Sequence, residues 1–271
     1  LNSFFLIIFS LFGWMNYHIY KMSHSYHHRF TCFPEGDFEV VLPREPSLSF
    51  QVLLKLFTIN IFGNGGITDT IKNFFKIAFN RFDTPFNSWT EALYDGQSEE
   101  RRKAKIWARI VLSFHGLIFI ASFGFEEPIW ILLLSLQAFI GNWHFYFLNE
   151  TQHDGLRSNV SDFRKCTRTI ILNPVSEFLY WHMNWHLEHH MYAGVPCYNL
   201  KKLHQIVKKD MPKPKNLIGA WLEMRKTWKL QHTDPNYEFD TPAPPKREKQ
   251  SKISDNHLET SIGELAPKSI S

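Results

Sequence analysis

Two groups of histidines have the spacing that gathers imidazole rings on one side of a helix. Each reads H-x-x-H-H, and the members are His24, His27 and His28 in the first group and His186, His189 and His190 in the second. Residues at i, i+3 and i+4 share a helical face, so each triplet is expected to converge on one point. Charged imidazoles packed together repel one another, and buried neutral ones leave ring nitrogens unsatisfied; a metal ion removes both difficulties. The triplets therefore predict metal ligation, with a solvated histidine-rich face as the alternative.

Other residues extend this set of candidate ligands. Asn149 and His153 stand four residues apart in N-E-T-Q-H, and His182 lies four residues before His186. Six or more histidines exceed what one tetrahedral zinc needs, so the count favours two metals. Imidazole accepts iron, zinc, copper or nickel, and spacing does not choose among them. Soluble di-iron bundles use carboxylates with Glu-x-x-His pairs, a pattern that is not dominant in this chain.

Isolated polar residues near these motifs have simpler explanations. The lone histidines His18, His115 and His144 are interpreted as structural. Glu150 and Glu188 adjoin candidate ligands, and each either orients an imidazole or is a solvated helix residue. Three arginines near the second triplet are expected to contact lipid headgroups or form structural ion pairs, with contact to the phosphate of an acyl carrier as the alternative; they are Arg157, Arg164 and Arg168.

The apolar segments that must position the histidines predict a membrane protein. Residues 106–125 and 129–148 are each about 20 residues long, the length of a membrane-crossing helix, and Glu126, Glu127 and Pro128 separate them. They predict a transmembrane hairpin. The basic run 101–105 precedes the first segment, which by the positive-inside rule places that end, and the end near residue 149, in the cytosol.

The remaining segments complete this outline. Residues 1–20 predict a membrane-dipping helix, and residues 47–80 predict two interfacial amphipathic helices separated by a glycine-rich break at 63–66. Residues 200–230 predict amphipathic helix broken by Pro212 and Pro214. The fold class is therefore all-α, with a membrane helical domain over 1–230 and a polar, disordered tail over 231–271.

Composition excludes several classes of protein. A hydrophobic content of 44% with 16% aromatic residues is too high for a disordered chain. Three widely spaced cysteines argue against a disulfide framework or a thiolate zinc site and favour a reducing, cytosol-facing environment. The basic clusters border apolar runs instead of alternating with stacking aromatics, so they indicate a membrane flank and no nucleic-acid partner.

The histidine motifs resemble those of the membrane fatty acid desaturase superfamily, which also contains related hydroxylases and carotenoid ketolases. H-S-Y-H-H at 24–28 and H-L-E-H-H at 186–190 resemble its second and third histidine boxes, and N-E-T-Q-H at 149–153 is similar to its Asn-x-x-x-His element. The resemblance covers about residues 1–225. Residues 162–204 are especially similar to a bacterial-type subgroup that includes dihydrorhizobitoxine-desaturase-like proteins.

One box of that family is missing. No H-x-x-x-H precedes His24, and relatives carry that box just upstream of a segment like the opening Leu-Asn-Ser-Phe-Phe. The resemblance therefore predicts an N-terminally truncated fragment that lacks two expected iron ligands.

The resemblance implies a definite chemistry. Two iron ions would be bound by eight residues, with no catalytic residue beyond the metal ligands: His24, His27, His28, Asn149, His153, His186, His189 and His190. With O2 and an external electron donor such as cytochrome b5 or ferredoxin, the protein would desaturate a fatty-acyl or related lipid chain. It would lie among membrane lipids, in a bacterial inner membrane or the endoplasmic reticulum, with the metal site facing the cytosol. A hydroxylase or ketolase, and an inactive metal-binding fragment, stay open as alternatives.

Overall fold

The structure is a computed structural model that describes residues 2–37, 39–63, 65–83 and 90–245. The described chain is mainly helical, which agrees with the predicted fold class. Its α-helices are α1 (Asn2–Phe12), α2 (Tyr17–Phe30), α3 (Phe50–Phe57), α4 (Ile67–Ala78), α5 (Thr90–Leu93), α6 (Ser98–Gly124), α7 (Trp143–Asn149), α8 (Phe163–Cys166), α9 (Pro174–Leu179), α10 (His186–Met191), α11 (Leu200–Val207) and α12 (Leu217–Gln231). Two short strands, β1 (Ile170–Ile171) and β2 (Lys215–Asn216), pair in parallel.

The described residues fall into two compact units. The first draws on Leu1–Tyr26 and Ser47–His144, and the second on His27–Pro46 and the chain from Phe145 onward.

The core of the first unit lies between α4 and α6. Ala104, Trp107, Ala108 and Val111 are buried and recur at the spacing of one helical face. They pack against the buried end of α4 around Phe74. This stripe explains why the polar first half of α6 is held in place although its sequence is rich in charge.

A buried hydrogen-bond network in the first unit occupies His115. Its ring stacks on Trp14 at 3.9 Å between centroids and contacts the Ser135 hydroxyl at 2.8 Å through Nδ1 and the Leu11 carbonyl at 2.9 Å through Nε2. Both ring nitrogens therefore have partners within the fold, as expected for a structural histidine.

The predicted hairpin is only partly present. Among the described helices, α6 alone is by itself long and apolar enough to cross a membrane; α1 and α2 together qualify as well but are bent by 108° at their junction. The second predicted span, 129–148, is not one helix: a π-helical segment over Ile131–Leu136 and a 3-10 turn over Gln137–Phe139 come before α7. The hairpin is therefore not confirmed.

Backbone pairing with a neighbouring segment explains the interruption. Ile140 forms an isolated antiparallel bridge with Ile59. The Phe139 carbonyl accepts from the Asn60 amide at 2.9 Å, and the Gly141 amide donates to the Thr58 carbonyl at 2.9 Å. These groups cannot also bond within a continuous helix, and Gly141 adopts a left-handed φ of 66°, which glycine accommodates readily.

The two helices predicted within residues 47–80 are present as α3 and α4, with the break at the glycines between them. No residue of α3 is buried in the structure, and α3 exposes Phe50, Leu54 and Phe57. An exposed apolar face of this kind is compatible with the interfacial position that the sequence predicts.

The second unit is organised around α10, α11 and α12. Trp185, Leu187, Leu200 and Leu203 are buried together beside α10. The two strands bring the segment before α9 next to the start of α12, where the Asn216 side chain caps the helix by accepting from the Gly219 amide at 2.7 Å. The predicted break in 200–230 is confirmed, since α11 ends before Pro212 and α12 begins after Pro214.

The chain beyond α12 has no helix or strand up to residue 245. It is tied to the second unit by ion pairs, from Arg157 to Glu238 at 3.0 Å and from Lys165 to Asp240 at 2.9 Å. The rest of the predicted polar tail, 246–271, lies outside the described residues.

Candidate metal centre

Four buried histidines of the second unit converge on one point. They form what we call the buried histidine cluster: His27, His153, His186 and His190. One ring nitrogen from each lies within 4.8 Å of the others. The Nε2 atom of His186 is 3.0 Å from Nε2 of His153 and 3.1 Å from Nε2 of His190. The cluster therefore presents a set of imidazole nitrogens of the kind that binds a transition metal.

The opposite ring nitrogens are held by acceptors of the protein. His153 Nδ1 lies 2.8 Å from the Cys166 carbonyl oxygen, which can only accept, so this nitrogen carries the hydrogen. His27 Nδ1 lies 2.8 Å from the Asp37 carboxylate, which fixes the same tautomer in a neutral ring. In both rings the lone pair is therefore on Nε2.

Thr31 completes this arrangement for His190. Its hydroxyl donates to the His27 carbonyl at 2.6 Å, so it acts as an acceptor toward His190 Nδ1 at 3.0 Å. The hydrogen of the neutral His190 ring is then on Nδ1, and its lone pair is on Nε2. Since His186 Nε2 carries at most one hydrogen, it cannot satisfy the lone pairs of both His153 and His190. A cation among these nitrogens resolves the conflict, so the donor set fits a metal ion.

Burial favours the neutral form of His153 and His190. It lowers the pKa of His153 well below the usual range, and the charge of His27 lowers that pKa further. The pKa of His190 is lowered in the same way, first by burial and then by the neighbouring His186. Both rings thus offer lone pairs at neutral pH, which is the form in which histidine ligates metals.

A second, less buried pair of histidines lies nearby in the same unit. Nε2 of His28 and Nε2 of His189 are 2.9 Å apart, and the two rings are nearly perpendicular with centroids separated by 4.4 Å. Both residues are half-buried. His24 precedes His28 by one turn of α2, so the two side chains lie on the same side of that helix.

The expectation that each triplet converges on one point was wrong. His186 and His190 join the buried cluster, whereas His189, between them in sequence, pairs with His28. The neighbours His27 and His28 separate in the same way. Successive residues of a helix point about 100° apart, so one H-x-x-H-H motif reaches two places.

The loop that carries His153 is fixed by a buried arginine. Arg168 forms an ion pair with Glu223 at 3.1 Å and donates to the backbone carbonyls of Thr151 and Asp154. Gly155 follows with a left-handed φ of 70°, and a Cβ atom there would lie 3.1 Å from Met224 Cα. The loop is thereby pressed against α12.

Glu188 is buried, which excludes the solvated interpretation, and the imidazole that it contacts is that of His204, which is not among the candidate ligands. It is fully buried, accepts from the Thr169 hydroxyl at 2.6 Å and lies 2.6 Å from His204 Nδ1. The Leu187 amide donates to the same Thr169 hydroxyl oxygen at 3.3 Å. Glu188 therefore anchors α10 from the side that faces α11.

Glu150 is also buried and belongs to a carboxylate pair. Its carboxylate is 2.8 Å from Arg44 Nη2, and Arg44 Nε is 3.1 Å from Asp154. Burial and the hydrogen bond with Asp154 raise the pKa of Glu150 to about 8, against the opposing charge of Arg44. The pKa of Asp154 is raised as well, mainly by burial. Both carboxyl groups therefore lose their protons at a higher pH than exposed carboxyl groups do.

The other predicted residues lie as follows. Asn149 is the last residue of α7, four residues before His153, and its role as a ligand stays a prediction. His182 lies outside both groups of histidines, with Nδ1 3.1 Å from Glu177 Oε1. The arginines form structural ion pairs: Arg164 with Asp162, in addition to those of Arg157 and Arg168 described above.

Sequence reasoning missed the residues that hold the imidazoles. Asp37 lies ten residues after His27 in an irregular segment, so no periodicity connects the two. The Cys166 contact is made by a backbone carbonyl and has no side-chain signal at all. The contact of Thr31 could have been predicted from the sequence, because Thr31 lies four residues after His27, just past the end of α2.

Comparison with known proteins identifies the family. The family model described as fatty acid desaturase matches residues 1–220, most of the chain and both histidine boxes. The chain belongs to the fatty acid desaturase family. Searches of curated proteins and of solved structures give no significant match. Membership in this family indicates a membrane-associated oxidoreductase that acts on lipid chains, and the histidine cluster supplies a site that could hold a metal ion.

Proposed function

We propose that the protein is a membrane-bound di-iron oxidoreductase that introduces a double bond into a fatty-acyl or related lipid chain. The observation that carries the proposal is the convergence of the Nε2 atoms of His153, His186 and His190 while the outer nitrogens of His153 and His190 face acceptors. Family membership supplies the reaction class.

One iron would be held by the four residues of the buried histidine cluster. The other would be held by His28 and His189, with His24 one turn earlier on α2 and Asn149 one turn before His153 as further ligands. Bound iron would supply reduction of O2, with electrons from a donor such as cytochrome b5 or ferredoxin, and removal of hydrogen from an unactivated C–H bond.

The protein's own residues do three things in this scheme. Asp37, Thr31 and the Cys166 carbonyl fix the tautomers and the directions of the rings. Burial excludes water from the four imidazoles and lowers the pKa of His153 and of His190, which favours the neutral form of these two rings. Glu188, through Thr169, holds α10, which carries three of the proposed ligands.

We infer that the metal centre faces the cytosol and that the protein belongs to the bacterial-type subgroup. Support for the orientation is the basic run at the start of α6, since Lys and Arg flank the cytosolic ends of spans. Support for the subgroup is the similarity over residues 162–204. The membrane would be a bacterial inner membrane, or the endoplasmic reticulum if the subgroup is wrong.

The test is iron content and product profile of the full-length gene product in membranes supplied with a reductant system and labelled acyl substrates. Wild type is compared with His186→Ala and with the control His232→Ala, whose ring is largely exposed. In wild type and control we expect about two irons per chain and a new double bond. In His186→Ala we expect loss of the iron of the buried histidine cluster and of the double bond. An oxygenated product would show that the reaction is hydroxylation or ketolation instead of desaturation. The absence of both iron and product would contradict the proposal that the protein is an enzyme.

A further inference from the structure

The burial of α9 is the reverse of that of an ordinary surface helix. Its acidic residue, Glu177, is buried, whereas Val175, Phe178 and Leu179 are exposed, Phe178 by 72%. These three apolar residues lie at i, i+3 and i+4 and therefore share one face of the helix. A surface helix of a globular protein normally buries its apolar face and exposes its charged residues. The outer face of α9 is thus suited to an apolar environment.

Contacts of the Glu177 carboxylate hold α9 in this orientation. The carboxylate accepts from Trp185 Nε1 at 3.2 Å. It also lies 3.1 Å from His182 Nδ1 and 3.3 Å from Lys201 Nζ. Rotation of α9 that buried Phe178 would break these three contacts. The exposure of its apolar face is therefore a fixed feature of the fold.

Helix α12 of the same unit extends this apolar face. Tyr180, just after α9, and Ala220 of α12 are buried in one cluster, and the strands before the two helices pair with each other, so the helices are neighbours. On α12, Ile218 and Leu222 are exposed, Ile218 by 72%. Extended apolar surface of this kind marks an interaction site. We call it the α9–α12 surface: Val175, Phe178, Leu179, Trp181, Ile218 and Leu222.

Basic residues continue the exposed face of α12. Arg225 and Lys229 are exposed and follow Leu222 by three and seven residues, so all three lie on one side of the helix. Glu223, the acidic residue of α12, is engaged by Arg168 at 3.1 Å. The outer face of α12 therefore changes from apolar to positively charged along its length. Such a face matches a membrane surface, with acyl chains beside its apolar part and anionic headgroups beside its cations.

The turn after α9 presents a tryptophan as part of this surface. Trp181 is 61% exposed, although its φ of 54° lies in the left-handed region that bulky residues rarely adopt. Tryptophan is enriched at the boundary between membrane and water, where its ring meets the apolar layer and its N–H the polar one. The position of Trp181 therefore also favours a membrane as the partner of this surface.

We propose that the α9–α12 surface is a membrane-docking surface, which enters the interfacial layer of a bilayer that contains anionic lipids. Because the family is membrane-associated, a bilayer is the apolar partner at hand. The docking itself stands on exposure and charge and does not depend on the proposed reaction. Since Glu177 binds Trp185, the N-cap of α10, docking would also set the depth of α10 below the membrane surface. The value of that depth for the reaction rests on the proposed function.

The test measures the depth of spin labels on the full chain in lipid nanodiscs. Cys197→Ser is the background, because Cys32 and Cys166 are buried. Labels are attached through Phe178→Cys or Leu222→Cys, and the control label through Lys209→Cys, at an exposed position just after α11. Access of each label to O2, which concentrates among acyl chains, is compared with its access to a water-soluble nickel complex. The discs contain phosphatidylcholine alone or an equal mixture with phosphatidylglycerol.

At positions 178 and 222 we expect more collisions with O2 than with nickel, and at position 209 the reverse. The double variant Arg225→Gln, Lys229→Gln should make the label at 222 shallower in the mixed discs only, because anionic headgroups attract these cations.

Nickel access at 178 and 222 as high as at 209 would overturn the proposal. Labels shielded from both reagents would also overturn it, since a second copy of the chain would then cover the surface. No difference between the double variant and its parent in mixed discs would overturn the role of anionic lipid. Because these readouts use neither iron nor product, failure of docking and failure of the proposed function are separate results.

Discussion

The two groups of histidines differ in their surroundings although one sequence motif supplies both. The buried histidine cluster is closed off from solvent, and three protein acceptors face its outer ring nitrogens. His28 and His189 are half-buried, and their Nε2 atoms lie 2.9 Å apart. The comparison shows that one H-x-x-H-H motif on a single helix contributes histidines to two sites, one buried and one nearer the surface.

The largest difference in iron affinity between the two sites is expected when a ligand at the centre of the buried histidine cluster is removed. His186 lies next to both His153 and His190, so His186→Ala should weaken iron binding at the buried cluster by more than about 100-fold, beyond the effect of losing a supporting contact. His189→Ala should spare that cluster. Chelator competition on both variants measures this; equal loss of both irons in both variants would contradict separate sites.

A smaller effect is expected on loss of the carboxylate that supports His27. Asp37→Asn keeps the shape but removes the negative charge, and we expect iron to bind about 10–100-fold more weakly. The matched control is Glu35→Gln, an exposed acidic residue two positions earlier. Chelator competition should separate the two variants, and if they behave alike, Asp37 does not act on the metal.

Removal of the hydroxyl beside His190 is expected to cost less. Thr31→Val deletes the acceptor of His190 Nδ1 at nearly constant shape, and a neutral hydrogen bond contributes about 1 kcal/mol, or roughly fivefold in affinity. Iron affinity at the buried cluster should fall by that factor, with His28 and His189 unaffected. No change in affinity would show that His190 keeps its orientation without Thr31.

The smallest effect is expected at His182. Its Nδ1 contacts Glu177 and its side chain is partly exposed. His182→Ala should therefore change iron affinity by no more than about twofold, the scale of a surface substitution. A loss comparable to that of Asp37→Asn would make His182 a ligand or a direct support of one.

The sequence was sufficient to find the histidines but not to distribute them. Periodicity places His186, His189 and His190 on one broad face of a helix, within which His189 and His190 point about 100° apart. Packing against residues 27–28 and the His153 loop then decides which partner each ring meets. Asp37 and the Cys166 carbonyl could not be predicted as hydrogen-bond partners of the histidines. Asp37 lies in an irregular segment and the other partner is a backbone atom, so neither belongs to a periodic pattern of side chains.

The second predicted span shows the same limit in the fold. Residues 129–148 have the length and apolarity of a membrane helix, yet the backbone near Ile140 bonds to residues 58–60 instead. Hydropathy records where apolar surface is available, and it does not record competition for backbone hydrogen bonds from a distant segment. Gly141 was the one local signal of the interruption.

The most direct test of the account is anomalous diffraction at the iron edge from crystals of the metal-loaded full-length protein. The account predicts a peak roughly 2 Å from Nε2 of His153, His186 and His190, the usual distance between a first-row metal and imidazole. Iron found elsewhere, with these three nitrogens hydrogen-bonded to water or to one another, would contradict it.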